Sequence, residues 1–237
     1  MKIIFFCFIS FSGFAQFKDH VRVQLFGISR NQELRVDDTG GYFIGDQYMR
    51  RLNFGAHFLW EFTERWAIMA GVQRVSFIND SNFWFRNNDP VLLVRTNPFN
   101  GPAFVTGIDK TFIKYNRWRI GVQGRYQFAL IKPGGGSSSG GNINLAQTIQ
   151  IDYNSITSVK KRNFHALGFT VFTHYKLSSL LSLVYEYGYM HALNEAAVVA
   201  VDVNYTVTSG GNIQTYTAQT RATGTASSHS VGFQFTF

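Results

Sequence analysis

The sequence predicts an all-β chain, an eight-stranded antiparallel up-and-down β-barrel that crosses a membrane. Three observations predict it. Hydrophobicity alternates with period two over most of the chain, which is the strand signal. The connections between alternating segments are short and long in turn, the layout of a transmembrane barrel. The composition is apolar and aromatic without a helical span. Of 237 residues, 45% are hydrophobic, 16% aromatic and only 15% charged, against roughly 25% charged in average soluble chains. Mean hydropathy is nevertheless −0.06. Outside the N-terminus no run approaches the ~18 apolar residues of a membrane-spanning helix, and the chain is too apolar for disorder.

The first segment is read as processing rather than fold. Met1–Ala15 carries Lys2, then the apolar run from Ile3 to Phe11, then the small residues Gly13 and Ala15, in the order of a secretory signal cut before Gln16. Residues 16–237 then form one barrel domain. Removing Lys2 takes the net charge from +8 to +7, and removing Cys7 takes the only cysteine, so no disulfide or thiol chemistry is expected. The apolar stretch before Cys7 is too short for a lipoprotein signal.

Eight strands follow. His20–Ser29 is the first. Arg51–Phe62 alternates Leu52, Phe54, Ala56, Phe58, Trp60 and Phe62 against Arg51, Asn53, Gly55, His57 and Glu61, with Leu59 the exception. Trp66–Ile78 changes phase near Gln73–Val75, which reads as a bulge. Phe104–Tyr115 precedes Trp118–Phe128, whose second face is Arg119, Gly121, Gln123, Arg125 and Gln127. Phe164–Tyr175 and Leu181–Tyr189 come next, the latter with Leu and Tyr facing Ser182, Val184, Glu186 and Gly188. The chain closes on Val231, Phe233, Phe235 and Phe237 against Ser230, Gly232, Gln234 and Thr236.

Thr63–Arg65, Asn116–Arg117 and Lys176–Ser179 are short turns, which places them in the periplasm. The four long connections face outward as extracellular loops. Ala196–Thr208 and Ile213–Ala222 flank Ser-Gly-Gly-Asn and read as a protruding hairpin. Gly134–Gly141 reads as a flexible loop tip. Phe83, Trp84 and Phe85 lie in another long loop, as an exposed patch or a cover for the barrel mouth.

A soluble barrel and a membrane barrel share this alternation with opposite faces inward. The polar faces are rich in Gly, which suits a narrow filled lumen. Trp60, Phe62, Trp66, Trp118, Tyr175 and Phe237 all lie near the short turns, forming an interfacial girdle. The ending Gly232-Phe233-Gln234-Phe235-Thr236-Phe237 resembles the C-terminal assembly signal of bacterial outer-membrane barrels. With the signal segment and eight strands, the chain resembles the small OmpA/OmpX-like, porin-like barrel family. That resemblance implies export through the periplasm to a bacterial outer membrane. It also implies contact with membrane lipid and lipopolysaccharide, and recognition of Phe233, Phe235 and Phe237 by the insertion machinery.

Function is less legible. An eight-stranded barrel is just wide enough for side chains to fill it. Arg22, Glu61, Arg119, Arg125 and Glu186 are expected to point inward, as paired structural charges or as a proton path or gated channel. Some small barrels modify lipid A, but a hydrolase needs Ser, His and an acid together, and Ser228, His229 and Ser230 are strand neighbours facing opposite sides. The sequence offers no catalytic set, no metal-ligand spacing and no cofactor motif, since Gly134–Gly141 lacks the Gly-Lys-Ser/Thr ending of a phosphate loop. An exported barrel has no access to nucleic acid. Lys160, Lys161 and Arg162 stand where a long loop meets the outer membrane edge, either as lipopolysaccharide contacts or as a solvated charge run. The leading expectation is a non-enzymatic barrel with a structural or surface-interaction role and an unidentified surface or envelope protein partner. A narrow channel or transport accessory comes second, and a lipid-A-modifying enzyme third.

Overall fold

The computed structural model describes residues 20–45, 48–77, 81–83, 91–94, 99–131, 138–146, 149–160, 163–193 and 199–237. The expected signal segment Met1–Ala15, Trp84, Phe85, Lys161 and Arg162 lie outside these residues. The strands are β1 (Val21–Asp38), β2 (Phe43–Gly45), β3 (Tyr48–Thr63), β4 (Trp66–Phe77), β5 (Ser81–Phe83), β6 (Val91–Val94), β7 (Phe99–Tyr115) and β8 (Trp118–Leu130), then β9 (Ser138–Ala146), β10 (Ile149–Val159), β11 (Asn163–Lys176), β12 (Leu181–Ala192), β13 (Val199–Ser209) and β14 (Asn212–Thr236). Eight of them close an antiparallel barrel in the order β1-β3-β4-β7-β8-β11-β12-β14, with β14 returning to β1.

Closure follows from local chemistry at the short-turn end. Thr63 Oγ1 accepts from the Trp66 amide at 3.0 Å, and Ser178 Oγ accepts from the Leu181 amide at 3.1 Å. Asn116 takes a positive φ of 52° in the two-residue turn between β7 and β8, a conformation Asn tolerates better than most residues. The last residue is tied in as well, since the Phe237 amide donates to the Val21 carbonyl at 2.9 Å.

Period two sets the faces. Leu25, Phe54, Ile108, Val122, Phe169, Tyr187 and Phe233 all point outward and are exposed. A continuous apolar belt of this extent does not persist in water. It is the lipid face of a membrane barrel. At the short-turn end the girdle is in place, with Trp118 and Tyr175 ring centroids 4.7 Å apart and Lys110 Nζ 4.6 Å from the Trp66 ring. Phe233 and Phe235 belong to the belt, and Phe237 is exposed at its edge.

The long-loop end holds a second sheet layer. β14 pairs with β12 from Phe235 to Ala226, then with β13 from Ala222 to Asn212. β13 pairs on its other edge with β10, and β10 with β9. The Ser-Gly-Gly-Asn hairpin is where the alternation placed it. Gly210 and Gly211 have φ of 55° and 85°, the two left-handed residues of a type I′ turn. A separate three-stranded sheet, β2-β5-β6, ties the segment after β1 to the segment between β4 and β7.

Two expectations are corrected. Ser138–Gly141 is not a loop tip: it lies in β9, where Gly141 and Gly140 pair with Tyr153 and Asn154. Backbone pairing with β10 overrides the weak strand propensity of Gly and Ser. Residues 134–137 lie outside the described residues. Nor is there a bulge at Gln73–Val75, because β4 pairs with β7 without a register shift from Trp66 to Phe77. The phase change has another cause. Val75 and Phe77 keep pointing inward, and the lumen itself turns apolar there.

Candidate functional site

The lumen is built in tiers, each from inward positions of several strands. Nearest the short turns, Glu61 on β3 takes two arginines. Arg22 Nη2 of β1 lies 3.0 Å from its Oε1, and Arg119 of β8 reaches the same oxygen from across the barrel. Arg119 Nε also donates to Thr111 Oγ1 at 2.6 Å. Gln234 Oε1 accepts from Arg22 and from Gln24, each at 3.2 Å, and Gln24 lies 3.5 Å from His174 Nε2. One carboxylate shared by two guanidiniums leaves the tier net positive.

The next tier pairs one charge of each sign. Arg125 Nη2 of β8 lies 2.6 Å from Glu186 Oε2 of β12, with side chains 8% and 1% exposed. Arg125 Nε donates to Gln123 Oε1. Asp109, fully buried, stands opposite Gln123 in the β7–β8 ladder. His57 is enclosed beside Phe26, ring centroids 4.4 Å apart. Charges this deep require partners, and the pairing within tiers supplies most of them. Leu59, Met69 and Val105 form a small apolar cluster in the same lumen.

Above the charges the lumen is sealed. Phe77 and Phe164 meet edge to face at 5.2 Å, packed with Leu34, Val75, Ile131 and Val199. Arg30 marks the boundary. Its guanidinium lies 5.7 Å from the Phe77 ring centroid and 6.0 Å from that of Phe164, and its Nη2 donates to the Gly224 carbonyl at 2.6 Å. Cation–π contact and one backbone carbonyl satisfy a charge that has no carboxylate beside it among the described residues. Gly224 has a φ of 95°, at the point where two extra residues of β14 sit between the partners of Gln32 and Leu34. The void beside Arg125, Gln127 and Ser230 measures about 20 Å³, room for about one water.

Sequence reasoning named Arg22, Glu61, Arg119, Arg125 and Glu186, and the structure brings them together as two pairings, Arg22–Glu61–Arg119 and Arg125–Glu186. It missed Arg30, Asp109 and His174, and it read His57 on the polar face without giving it a place in the charge network. Arg30 and Asp109 each continue the inward parity of a named strand, a signal that was present but unused. Ser228 and Ser230 face the lumen, while His229 faces outward with Nδ1 2.9 Å from the Tyr185 hydroxyl. Among the described residues no group of His, Cys and acidic side chains could hold a metal. Lys160 Nζ lies 2.8 Å from Asp202 Oδ2 on the second layer.

The second layer has its own core and its own groove. Val201, Val203, Val207 and Ile151 pack with Tyr205, whose hydroxyl donates to Asp38 Oδ1 at 2.7 Å. Burial and the neighbouring carboxylate push that phenol well above its usual range. The opposite face is polar, and a groove of about 700 Å³ there is lined by Asp37, Thr39, Asp202, Asn204, Thr217 and Gln219.

No protein-family model matches the chain, and no curated protein matches it by sequence. Among solved structures it is similar to the outer membrane protein OprG from Pseudomonas aeruginosa, at 8% identity and a TM-score of 0.50, covering 93% of this chain and 97% of that one. It is also similar to the outer membrane protease OmpT from Escherichia coli (10% identity, TM-score 0.38, 92% and 97% covered) and to Ail, the attachment invasion locus protein of Yersinia pestis (10%, 0.36, 92% and 99%). The first likeness shows the fold, that of an outer-membrane β-barrel.

Proposed function

We propose that this chain is a non-enzymatic barrel of a bacterial outer membrane whose sealed lumen anchors an extracellular β-sheet, and that the sheet is its working surface. The carrying observation is that β13 and β14 each serve two cores, giving Val199 and Ala222 to the apolar layer around Phe77 and Phe164 and Val201 and Ala218 to the core under β13 and β10. It makes the outer sheet a rigid outgrowth of the wall rather than a set of loops. The polar groove beside Asn204 and Thr217 then faces the medium, with donors and acceptors suited to a polar, hydrogen-bonding envelope or surface partner. Phe233, Phe235 and Phe237 serve as the assembly signal read by the insertion machinery. Lys160, Lys161 and Arg162 are the basic run offered to lipopolysaccharide phosphates, with Asp202 competing for Lys160.

A photoreactive residue at Asn204, crosslinked in native outer membranes, tests the reading. A discrete adduct that disappears when the Asn204 probe is moved to Phe169 on the lipid face supports it. Identical adducts from both positions sink it. The second reading is a narrow channel, favoured by Asp109, a carboxyl enclosed in the lumen. Planar-bilayer recordings separate the two, since a steady open conductance of the wild type belongs only to the channel.

A further inference from the structure

The barrel wall is split on one side. β3 and β4 pair from Thr63↔Trp66 only as far as Gly55↔Gln73. Beyond that level β3 stays with β1 up to Tyr48, and β4 stays with β7 up to Phe77, but the two no longer pair with each other. Phe54 and Arg74 therefore stand on facing, unzipped edges.

The split lies at membrane depth. Trp60 and Trp66 mark the short-turn interface, and Leu52 and Arg74 each lie eight residues further along their strands. Eight residues of strand tilted by about 40° rise roughly 20 Å, within an apolar band roughly 25 Å tall. The opening thus occupies the outer-leaflet half of the membrane. Beyond Gly55↔Gln73 the two strands are joined among the described residues by a side-chain bond, Ser76 Oγ to Asn53 Oδ1 at 2.7 Å, and not by a backbone ladder, and hydrocarbon tails cannot satisfy backbone N–H and C=O groups left without one.

A groove of about 580 Å³ fills the split on the lipid side, lined by Phe54, Ala56, Val72, Gln73, Arg74 and Pro102. That size is in the range of small-ligand clefts. Its floor is apolar. At its upper end Arg74 is exposed and makes no ion pair or side-chain hydrogen bond among the described residues. At that height a guanidinium reaches the headgroup level by snorkelling. Gln73 and Arg74 also line the internal void beside Arg125, so the groove runs up to the lumen wall itself.

We infer that the β3–β4 split is a binding site for one anionic, phosphate-bearing lipid of the outer leaflet. The acyl chain lies over Phe54, Val72 and Pro102. The phosphate pairs with Arg74, and the acceptor-rich headgroup and ester oxygens take the free amides of the split edges. A cationic anchor at one end of an apolar groove, with unpaired donors between, selects an anionic amphiphile over a neutral one.

The test uses the refolded barrel in nanodiscs of phosphatidylcholine and phosphatidylglycerol in equal amounts. Benzoylphenylalanine replaces Val72, with Leu183 on the far wall as the control position, and lipid adducts are identified by mass. The expected result is about fivefold enrichment of phosphatidylglycerol at position 72, the ratio equivalent to the ~1 kcal/mol of one basic residue at an anionic surface. Enrichment should be absent at position 183, lost in Arg74→Gln and kept in Arg74→Lys. Native mass spectrometry of the barrel without the probe reads the same preference through retained lipid, so the inference does not hinge on one labelled variant. Adducts that follow the bulk ratio at both positions would overturn it, and so would crosslinked dimers at position 72.

Discussion

β1 and β14 each pass through two environments with opposite rules. Near the short turns β1 points Arg22 and Gln24 inward and Val23 and Leu25 outward. Near the long loops it points Leu34 inward and leaves Arg35 and Asp37 exposed. β14 does the same, from Gln234 inward and Phe233 outward to Ala218 and Ala222 inward and Thr217 outward. The parity of the strand never changes, so the solvent outside decides the inversion. Lipid around the lower half demands an apolar exterior and leaves the interior to polar side chains. Water around the upper half demands the reverse, and the interior becomes an ordinary hydrophobic core. The lesson is that alternation reports a strand, while the sign of the alternation reports what surrounds it.

Three measurements sharpen or break this contrast. The largest effect belongs to the polar lumen. Arg125→Met or Glu186→Gln alone should each cost roughly 3–5 kcal/mol in urea unfolding of the refolded barrel, because each strands a buried charge. The double variant should cost clearly less than the sum, and strict additivity would disprove the pairing. The apolar seal comes next. Phe164→Ala should cost about 3 kcal/mol, as in a soluble core, and Phe169→Ala on the lipid face distinctly less. Equal costs would mean that the seal is not a core. The smallest effect lies on the watery face of the second layer. Lys160→Met should cost about 0.5 kcal/mol or less, and less still at high salt. Burial alone would raise the Asp202 carboxyl, but hydrogen bonds from Lys160 and Gln219 outweigh it and hold it below its usual 3.8. A depressed carboxylate stabilises at pH above its unfolded value, and that contribution fades as pH falls through the lower folded value. The gap between wild type and Lys160→Met should therefore be full at pH 6 and narrow only below about pH 4. A gap that widens in acid would show the sign to be wrong.

What the sequence made legible is what local alternation can encode. The Arg119–Arg125 face and the Leu52–Phe62 face were assigned from period two alone, because each strand meets a uniform environment over that length. The Gly210–Gly211 turn was legible for a different reason, since only a left-handed pair closes such a hairpin. Three features were not. The partnership of β13 with β10 joins two loops far apart in sequence, and neither carries a mark naming the other. Val75 and Phe77 looked like a slipped register because the rule of a polar lumen was carried one tier too high. The β3–β4 split left no trace, since an unpaired edge reads in sequence like a paired one. Arg30 shows the same limit from another side. Its partners among the described residues are two phenylalanines and the Gly224 carbonyl, none of which a search for opposite charge would find.

The corner at Gly224 has a mechanical consequence. Below it β14 is held by β12, above it by β13, and along nearly its whole length by β1. A pull on the outer sheet away from the membrane runs nearly along β14. It therefore loads the β1–β14 ladder in shear, where many hydrogen bonds must give way together, rather than peeling them open one after another. The seam that closes the barrel is also its tether, and an object gripped by the surface sheet would tug on the part of the wall least able to unzip.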